Sequence, residues 1–273
     1  MTPIITPDAG LERIWNPEMP GGLLTDLAFA GGMEHPGTVW YEDVSGRGNH
    51  GTLTGMDPAT DWVWSPELNR WALDFDGSND YVTFGGLSWN VNYESYTFSL
   101  WCRASSGIAQ YDTAFGQCTD SGLGFRLWTT DSSSHKWSWD GGSGSGVIAS
   151  SVIPVGEWQH IVCEFRNTGA ASATIRMLLD AVSQGTSNIT PSPGDNNFQV
   201  GRHGTTSRYF PMQVADFSVF NRALTTPEIQ WLASPANHLR VPWRRTVWPM
   251  SAAAPTFNPA WAARCNNLIG AGI

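Results

Sequence analysis

Three side chains with carboxylate or amide oxygens meet in one short turn of the sequence: Asp76, Asn79 and Asp80. An apolar run, 71–75, enters this turn and an alternating segment, 81–84, leaves it, as in two strands joined by a tight connection. Carboxylate and amide oxygens grouped in a loop are the ligands that Ca²⁺ takes in proteins. The same side chains also cap turns by accepting backbone hydrogen bonds. The turn therefore predicts either a structural calcium site or a plain strand connection.

The side-chain patterns that usually carry catalysis do not occur in the sequence. Glycoside hydrolysis needs two carboxyl groups that face one cleft, whereas Glu42 and Asp43 are adjacent and would point to opposite faces of a strand. The six histidines show no metal-ligand spacing, and no Gly-x-Ser-x-Gly segment is present. The glycine-rich run 141–146 lacks the Lys-Ser/Thr ending of a phosphate loop, so that it predicts a flexible hairpin tip. We therefore expect the protein not to be an enzyme.

Short segments of alternating apolar and polar residues must position any site. Phe98, Leu100 and Cys102 share one face of such a segment, and 161–165 repeats the pattern. Turn clusters rich in glycine and proline separate the segments, and 186–197 predicts a polar loop. This rhythm predicts an all-β sandwich.

Both ends of the chain differ from this pattern. Residues 1–18 are proline-rich and predict an N-terminal arm, and the sandwich is expected over 19–233. One short helix is predicted at 225–232, with Thr225 or Thr226 as N-cap. The remaining segment, 234–273, holds five prolines, three tryptophans and four arginines but no acidic residue. Such an apolar tail needs a surface, either on its own domain or on a neighbouring subunit.

Composition narrows the classes of partner. Charged residues make up 14% of the chain, against about 25% in an average globular protein, and 15 residues are tryptophan. Few charges and many tryptophans favour a protein whose surface is in contact with partners. A tryptophan-rich core under a polar, uncharged surface would have the same composition. The first 233 residues hold 11 basic and 24 acidic residues, a balance that opposes binding to nucleic acid.

The start of the chain lacks the pattern of a secretory signal, and no segment of the sequence predicts a membrane span. The four cysteines lack metal-ligand spacing, and free thiols in a reducing cytoplasm are expected.

Six segments in collinear order resemble the laminin-G-like branch of the concanavalin A-like jelly-roll superfamily. They are residues 43–53, 71–84, 96–103, 156–162, 198–202 and 216–225. The resemblance implies an all-β fold, a two-sheet antiparallel jelly-roll sandwich with an N-terminal arm and an extended C-terminal tail. Fold alone does not define function, because proteins on this scaffold do many things.

The resemblance also implies two kinds of site. Asp216 takes the place of the aspartate that many such domains pair with the turn, which gives a structural Ca²⁺ site of Asp76, Asn79, Asp80 and Asp216. Jelly-roll lectins stack sugars on exposed aromatic rings, and the candidates for glycan binding are Trp128, Trp137, Trp139 and Asp140. Alternation places Trp137 and Trp139 on one face, which fits a stacking platform or, preferably, the core.

The segment 228–245 resembles the end of laminin-G-like proteins encoded by tailed bacteriophages. This implies a non-enzymatic structural component of a virion, a capsid decoration or surface adhesion protein that docks through its terminal arms. Its partners would be other virion proteins of capsid or tail, further copies of itself and cell-surface glycans, with assembly in the host cytoplasm and no membrane insertion. The alternative is a calcium-dependent carbohydrate-binding module. The predicted docking residues are Arg240, Trp243, Arg244, Arg245, Trp248 and Trp261.

Overall fold

A computed structural model of the chain describes most of the region expected to form the sandwich. The described residues are 23, 27–31, 37–85, 87, 94–118, 124–130, 133–143, 146–169, 172–192, 197–204, 208–237 and 239. The predicted arm, 1–18, and the six predicted docking residues of the tail lie outside them.

The described chain forms two antiparallel sheets, which confirms the predicted jelly-roll sandwich. In spatial order the first sheet runs β11 (Gly142–Ser143), β15 (Val182–Pro191), β14 (Ser172–Leu179), β13 (Trp158–Gly169), β7 (Tyr96–Ala104), β17 (Met212–Phe220), β5 (Arg70–Phe75) and β4 (Trp62–Ser65), with β1 (Leu27–Ala30) also paired to β17. The second sheet runs β12 (Val147–Ile148), β10 (Trp137–Asp140), β9 (Gly124–Thr129), β8 (Thr113–Cys118), β16 (Phe198–Val200), β6 (Tyr81–Phe84), β3 (Gly51–Thr54) and β2 (Trp40–Tyr41).

The core lies between the two sheets and is rich in aromatic rings. Phe98 of β7 stacks on Phe198 of β16, with 5.7 Å between ring centroids. The predicted alternation is confirmed in β7, where Leu100 and Cys102 join Phe98 in this core. Cys102 and Cys163 are free thiols inside it. Because every second residue of a strand faces the core, the remaining residues of the second sheet form its outer face.

A β-bulge interrupts β17 next to Asp216. The register of β17 against β7 shifts between Ala215 and Ser218, and Asp216 has a left-handed backbone with φ of 49°. Val214 and Phe217 both face the core although three positions separate them. The extra residue of the bulge aims the Asp216 carboxylate at Arg70 on β5.

The single helix among the described residues is α1 (Thr226–Leu232), as the sequence predicts. Thr225 is the N-cap, and the Glu228 carboxylate accepts hydrogen bonds from the Thr225 amide and hydroxyl, each at 2.8 Å. Ile229 and Leu232 pack with Val162 on the outer face of the first sheet. No helix in the described part of the chain has the length and apolar character to cross a membrane.

Two predicted loops belong instead to strands. Gly142 and Ser143, within the expected hairpin tip, pair with Pro191 and Thr190 of β15. β15 itself extends through much of the polar segment 186–197. Polar strands of this kind are hard to predict, because they show no apolar alternation and their pairing comes from backbone groups.

Candidate binding site

The turn at Asp76 is held by hydrogen bonds within itself. The Asp76 carboxylate accepts hydrogen bonds from the amides of Ser78 and Asn79, at 2.7 and 3.2 Å. The Asp80 carboxylate accepts one from the Asp76 amide, at 2.9 Å. These contacts are the ones expected if the side chains cap the turn between two strands. Calcium at this turn stays a prediction.

Asp216 does not join that turn, and the predicted four-residue metal set is wrong on this point. Met212 pairs with Phe75, next to the turn, whereas Asp216 lies four residues further along β17, roughly 13 Å of strand away. There its carboxylate forms an ion pair with Arg70. Within the described residues, no group of three or more histidine, cysteine or acidic side chains is placed to hold a metal ion.

Trp137 and Trp139 are core residues, which contradicts a role in stacking sugars. Their side chains are 1% and 0% exposed. The Trp137 indole N–H donates to the side-chain oxygen of Gln159 at 2.9 Å, and the Trp139 N–H donates to the Glu164 carbonyl at 3.1 Å. Both rings are therefore enclosed and satisfied, and the core alternative for them is correct.

Trp128 and Asp140 lie on the outer face of the second sheet, where the sequence places candidates for binding. Trp128 alternates with the core residue Leu127 on β9, and Asp140 alternates with Trp139 on β10. The Trp128 indole N–H donates to the Asp140 carboxylate at 2.5 Å. Two of the four predicted glycan-binding residues are therefore in contact at the surface.

Trp128 is part of a layered stack of rings and guanidinium groups. Tyr111 stacks on it with 5.2 Å between centroids and 17° between planes. The Arg126 guanidinium lies 4.8 Å from the Trp128 ring, and the Arg208 guanidinium lies 4.4 Å from the Tyr111 ring. Thr113 is the cross-strand partner of Trp128, so that Tyr111 lies on the side of Trp128 away from Arg126. The order of the stack is therefore Arg126, Trp128, Tyr111, Arg208.

Arg126 is fixed from a second direction by His203. Its guanidinium lies 2.6 Å from the Nε2 atom of the buried His203. Since arginine only donates, this nitrogen accepts and the histidine proton resides on Nδ1. Gly116 on β8 is the partner of Arg126, and an added Cβ there would lie 2.9 Å from the Arg126 Cβ. The glycine therefore leaves space for the arginine to pass across β8.

A third arginine makes a similar contact beside the stack. The Arg202 guanidinium lies 4.7 Å from the Tyr81 ring and 5.6 Å from the Tyr209 ring. Arg202 and Tyr209 also form an isolated β-bridge, which joins the segment after β16 to the same face. We call the following six residues the arginine–aromatic face: Tyr81, Tyr111, Arg126, Trp128, Arg202 and Arg208.

Two carboxyl groups border this face, and burial raises the pKa of each. For Asp140, the neighbouring Arg126 and the Trp128 hydrogen bond oppose the rise in pKa. For Asp112, the amide of Ala109 and the charges of His135 and Arg208 oppose the rise in pKa. The Arg126 Nε atom lies 3.7 Å from the Asp140 carboxylate, too far for a hydrogen bond. The Asp140 carboxylate therefore attracts Arg126 by its charge but does not occupy all of the N–H donors of the guanidinium.

The serine–histidine pair on the first sheet is enclosed. The Ser99 hydroxyl lies 2.9 Å from His160 Nε2, and both residues are buried. Burial and the charge of Arg70 lower the pKa of His160 to about 3, which keeps its ring neutral. Leu232 and Leu239 help to close a cavity of about 10 Å³ over the pair, room for one water molecule.

An exposed tryptophan occupies the other edge of the second sheet. Trp40 on β2 is 52% exposed. It borders a hollow of about 540 Å³, whose described lining also includes Thr38, Glu42 and His50. The sequence alone does not mark Trp40 as a candidate, because a single tryptophan beside a short edge strand carries no periodic signal.

The arginines of the arginine–aromatic face were also missed. Arg126 alternates with core residues of β9 and was visible as an outward position, but Arg202 and Arg208 come from an irregular segment. Tyr111 has a left-handed backbone with φ of 70° and precedes its strand. Only the folded chain brings these separate segments together.

The chain belongs to a family described as the concanavalin A-like lectin/glucanases superfamily, whose laminin-G-type model matches residues 76–230. Among solved structures it is similar to the binding domain of Paraclostridial Mosquitocidal Protein 1, with a TM-score of 0.59 and 14% identity over 77% of this chain and 52% of that one. It thus spans about half the length of that domain. No curated protein matches the sequence.

Two enzymes contain similar domains. Domain 4 of AbnA, an extracellular arabinanase from Geobacillus stearothermophilus solved in complex with arabinotriose, matches with a TM-score of 0.56 and 16% identity, over 77% of this chain and 98% of that one. Trypanosoma rangeli sialidase matches with a TM-score of 0.56 and 15% identity, over 79% of this chain but 33% of that one. Identities this low establish the fold, and the site has to be argued from its own residues.

Proposed function

We propose that the protein is a non-catalytic carbohydrate-binding domain whose ligand lies on the outer face of the second sheet. The stack of Arg126, Trp128, Tyr111 and Arg208 is the observation that carries this proposal. The ring faces are covered within the stack, so that it offers the exposed edge of Tyr111 together with directional donors, and the nearby Asp140 supplies an acceptor. Sugars present hydroxyl groups around an apolar ring, so that a site of this composition matches both parts of the ligand.

Rigidity is the second property that favours recognition. Each ring and guanidinium of the stack is held by a neighbour, and His203 and Gly116 fix the path of Arg126. A site whose side chains are already ordered loses less conformational entropy when it binds. The similar domains of the mosquitocidal protein and the arabinanase support a binding role for this type of fold.

The virion role remains a separate prediction. It depends on the tail residues from Arg240 to Trp261, which lie outside the described residues. A carbohydrate-binding domain is compatible with a place on a viral surface, since such a domain would attach a particle to glycans. Calcium remains a prediction restricted to the turn of Asp76, Asn79 and Asp80.

The test measures binding to a glycan array by the intact chain and by Tyr111→Ala. Tyr111 is 36% exposed, and its loss removes one layer of the stack without opening the core. We expect binding to weaken by about fivefold or more, since one aromatic contact contributes about 1 kcal/mol or more. The control is Trp64→Ala, which removes a 49% exposed ring from the first sheet.

Three outcomes separate the alternatives. Loss of binding in Tyr111→Ala but not in Trp64→Ala supports the arginine–aromatic face. Loss of glycan binding in Trp40→Ala, but not in Tyr111→Ala, assigns the binding site to the hollow at β2 instead of the arginine–aromatic face. Failure of the intact chain to bind any glycan overturns the proposed function.

A further inference from the structure

We propose that the arginine–aromatic face selects anionic sugars, those that carry carboxylate or sulfate groups, over neutral ones. This inference rests on the proposed function and names the class of glycan. It concerns what the three guanidinium groups do, beyond the aromatic surface beneath them.

The first reason is the way in which the guanidinium groups are held. Arg126, Arg202 and Arg208 each lie over an aromatic ring at 4.4–4.8 Å. Contact with a ring occupies the flat face of a guanidinium and leaves the N–H donors around its edge. One nitrogen of Arg126 is used by His203. A guanidinium held in this way is oriented before a ligand arrives, and its remaining donors match the oxygens of a carboxylate or sulfate.

The second reason is local charge. Residues 1–233 hold 24 acidic and 11 basic residues, yet three arginines converge on this face. Other arginines pair closely with carboxylates, as Arg176 does with Glu164 at 2.5 Å and Arg222 with Glu228 at 2.6 Å. By contrast, the Arg126 guanidinium lies 3.7 Å from the Asp140 carboxylate, beyond hydrogen-bond distance.

The third reason is the energetic difference between the two classes of sugar. A guanidinium donor strengthens its hydrogen bonds to neutral and to anionic acceptors alike, because the donor itself is ionised. A carboxylate or sulfate gains in addition the Coulomb attraction between opposite charges, which the hydroxyl groups of a neutral sugar lack. A nucleic acid also carries anionic groups, but the acidic excess of residues 1–233 opposes the binding of a long polyanion.

A variant of Asp140 tests the selectivity for anionic sugars, because we expect it to bind them more tightly. The Asp140 carboxylate competes with an anionic ligand for Arg126, and its oxygen accepts the Trp128 indole hydrogen bond. Asp140→Asn keeps an acceptor for the indole and removes the negative charge. We expect it to bind acidic sugars about threefold more tightly, or more, than the intact chain does.

The experiment measures Kd by titration calorimetry for an oligogalacturonate, its methyl ester, a dextran sulfate oligosaccharide and dextran. The variants are Arg208→Gln and Asp140→Asn, with Arg103→Gln as control. Arg103 lies on the first sheet and pairs with Glu67 at 3.5 Å, so that its loss removes the same charge elsewhere. Each variant is first compared with the intact chain by thermal unfolding. A DNA oligonucleotide tests for general polyanion binding.

The expected result is binding of an acidic sugar, about tenfold weaker in Arg208→Gln, unchanged in Arg103→Gln and tighter in Asp140→Asn. Loss of binding on methyl esterification assigns the carboxylate, and binding of dextran sulfate alone assigns the sulfate. Equal binding of charged and neutral sugars overturns the selectivity and leaves the proposed function intact. The selectivity is also overturned if Arg103→Gln weakens binding as much as Arg208→Gln does, or if DNA binds as tightly as the acidic sugar. Failure to bind any sugar here and on the glycan array overturns both proposals.

Discussion

The Asp80 carboxyl shows how one buried acid couples the sandwich to pH. It is 4% exposed, and desolvation together with the charges of Asp76 and Asp61 raises its pKa from 3.8 to about 6. The folded state therefore holds the proton more tightly than the unfolded chain does. The resulting stability is present in full below the unfolded pKa and is lost as the pH rises through about 6.

We expect Asp80→Asn to stabilise the protein at neutral pH. Removal of the ionised carboxylate should raise the free energy of unfolding by about 1–2 kcal/mol at pH 7, because the amide has no charge to desolvate and can still accept the Asp76 hydrogen bond. At pH 4 the two proteins should be equally stable, since Asp80 is then protonated. Urea unfolding at both pH values measures the difference, with Asp57→Asn at an exposed position as control.

The same variant also tests calcium at the turn. If Asp80 is a calcium ligand, excess CaCl₂ will raise the melting temperature of the intact chain and not that of Asp80→Asn. A loss of stability in the variant at pH 7 without calcium would contradict the desolvation argument.

Alternation in the sequence predicts the face on which a side chain lies, but it does not say which face is inside. Trp137 and Trp139 share a face in the sequence and share the core in the structure. Trp128 is no more polar than they are, yet it lies outside. The difference comes from the neighbours of Trp128 on β9, because it shares a face with Arg126 while Phe125 and Leu127 take the core face.

At the scale of elements, the bulge in β17 connects the first sheet to the chain that follows α1. Arg70 of β5 forms an ion pair with Asp216 and donates hydrogen bonds to the carbonyl groups of Pro235 and Asn237. Loss of the guanidinium would leave a partly buried carboxylate and two carbonyl groups without this donor. Breaking a buried pair in this way is strongly destabilising.

We expect Arg70→Met to lower the free energy of unfolding by roughly 3 kcal/mol. Asp216→Asn should recover part of this loss in the double variant, because it removes the charge that has lost Arg70. A double-mutant cycle by urea unfolding measures the coupling, with Arg103→Met and Glu67→Gln as an exposed pair whose coupling is below about 1 kcal/mol. Coupling no larger than that of the exposed pair would contradict this account.

The sequence specifies the helix and the apolar strands well, because their signals are local. Thr225 and Glu228 form the predicted start of α1, and Phe98 marks the inner face of β7. The Arg70–Asp216 pair joins positions 146 residues apart, and its geometry depends on a bulge. Turn chemistry grouped Asp76 with Asp80 correctly, whereas the resemblance alone added Asp216.

At the scale of the whole molecule, the expected boundary at residue 233 divides a set of contacts that belongs together. The first part of the predicted tail is bound by Arg70, and Asn237 donates a side-chain hydrogen bond to the Trp231 carbonyl at 2.9 Å. Leu239 packs with the residues around α1. The first compact unit of the chain continues to Val241. These contacts place the end of the sandwich after residue 239.

Two shortened chains test this boundary. A chain of residues 1–241 should fold and keep its glycan binding, because it retains every described contact of the sandwich. A chain of residues 1–233 should lose roughly 2–4 kcal/mol of unfolding free energy, since Arg70 would lose both carbonyl partners and α1 would lose Asn237 and Leu239. Urea unfolding measures stability, and light scattering shows whether 242–273 changes the oligomeric state, as the virion prediction requires. Equal stability of the two chains would return the boundary to residue 233. Unfolding of both would mean that residues 242–273 contribute to the stability of the sandwich itself.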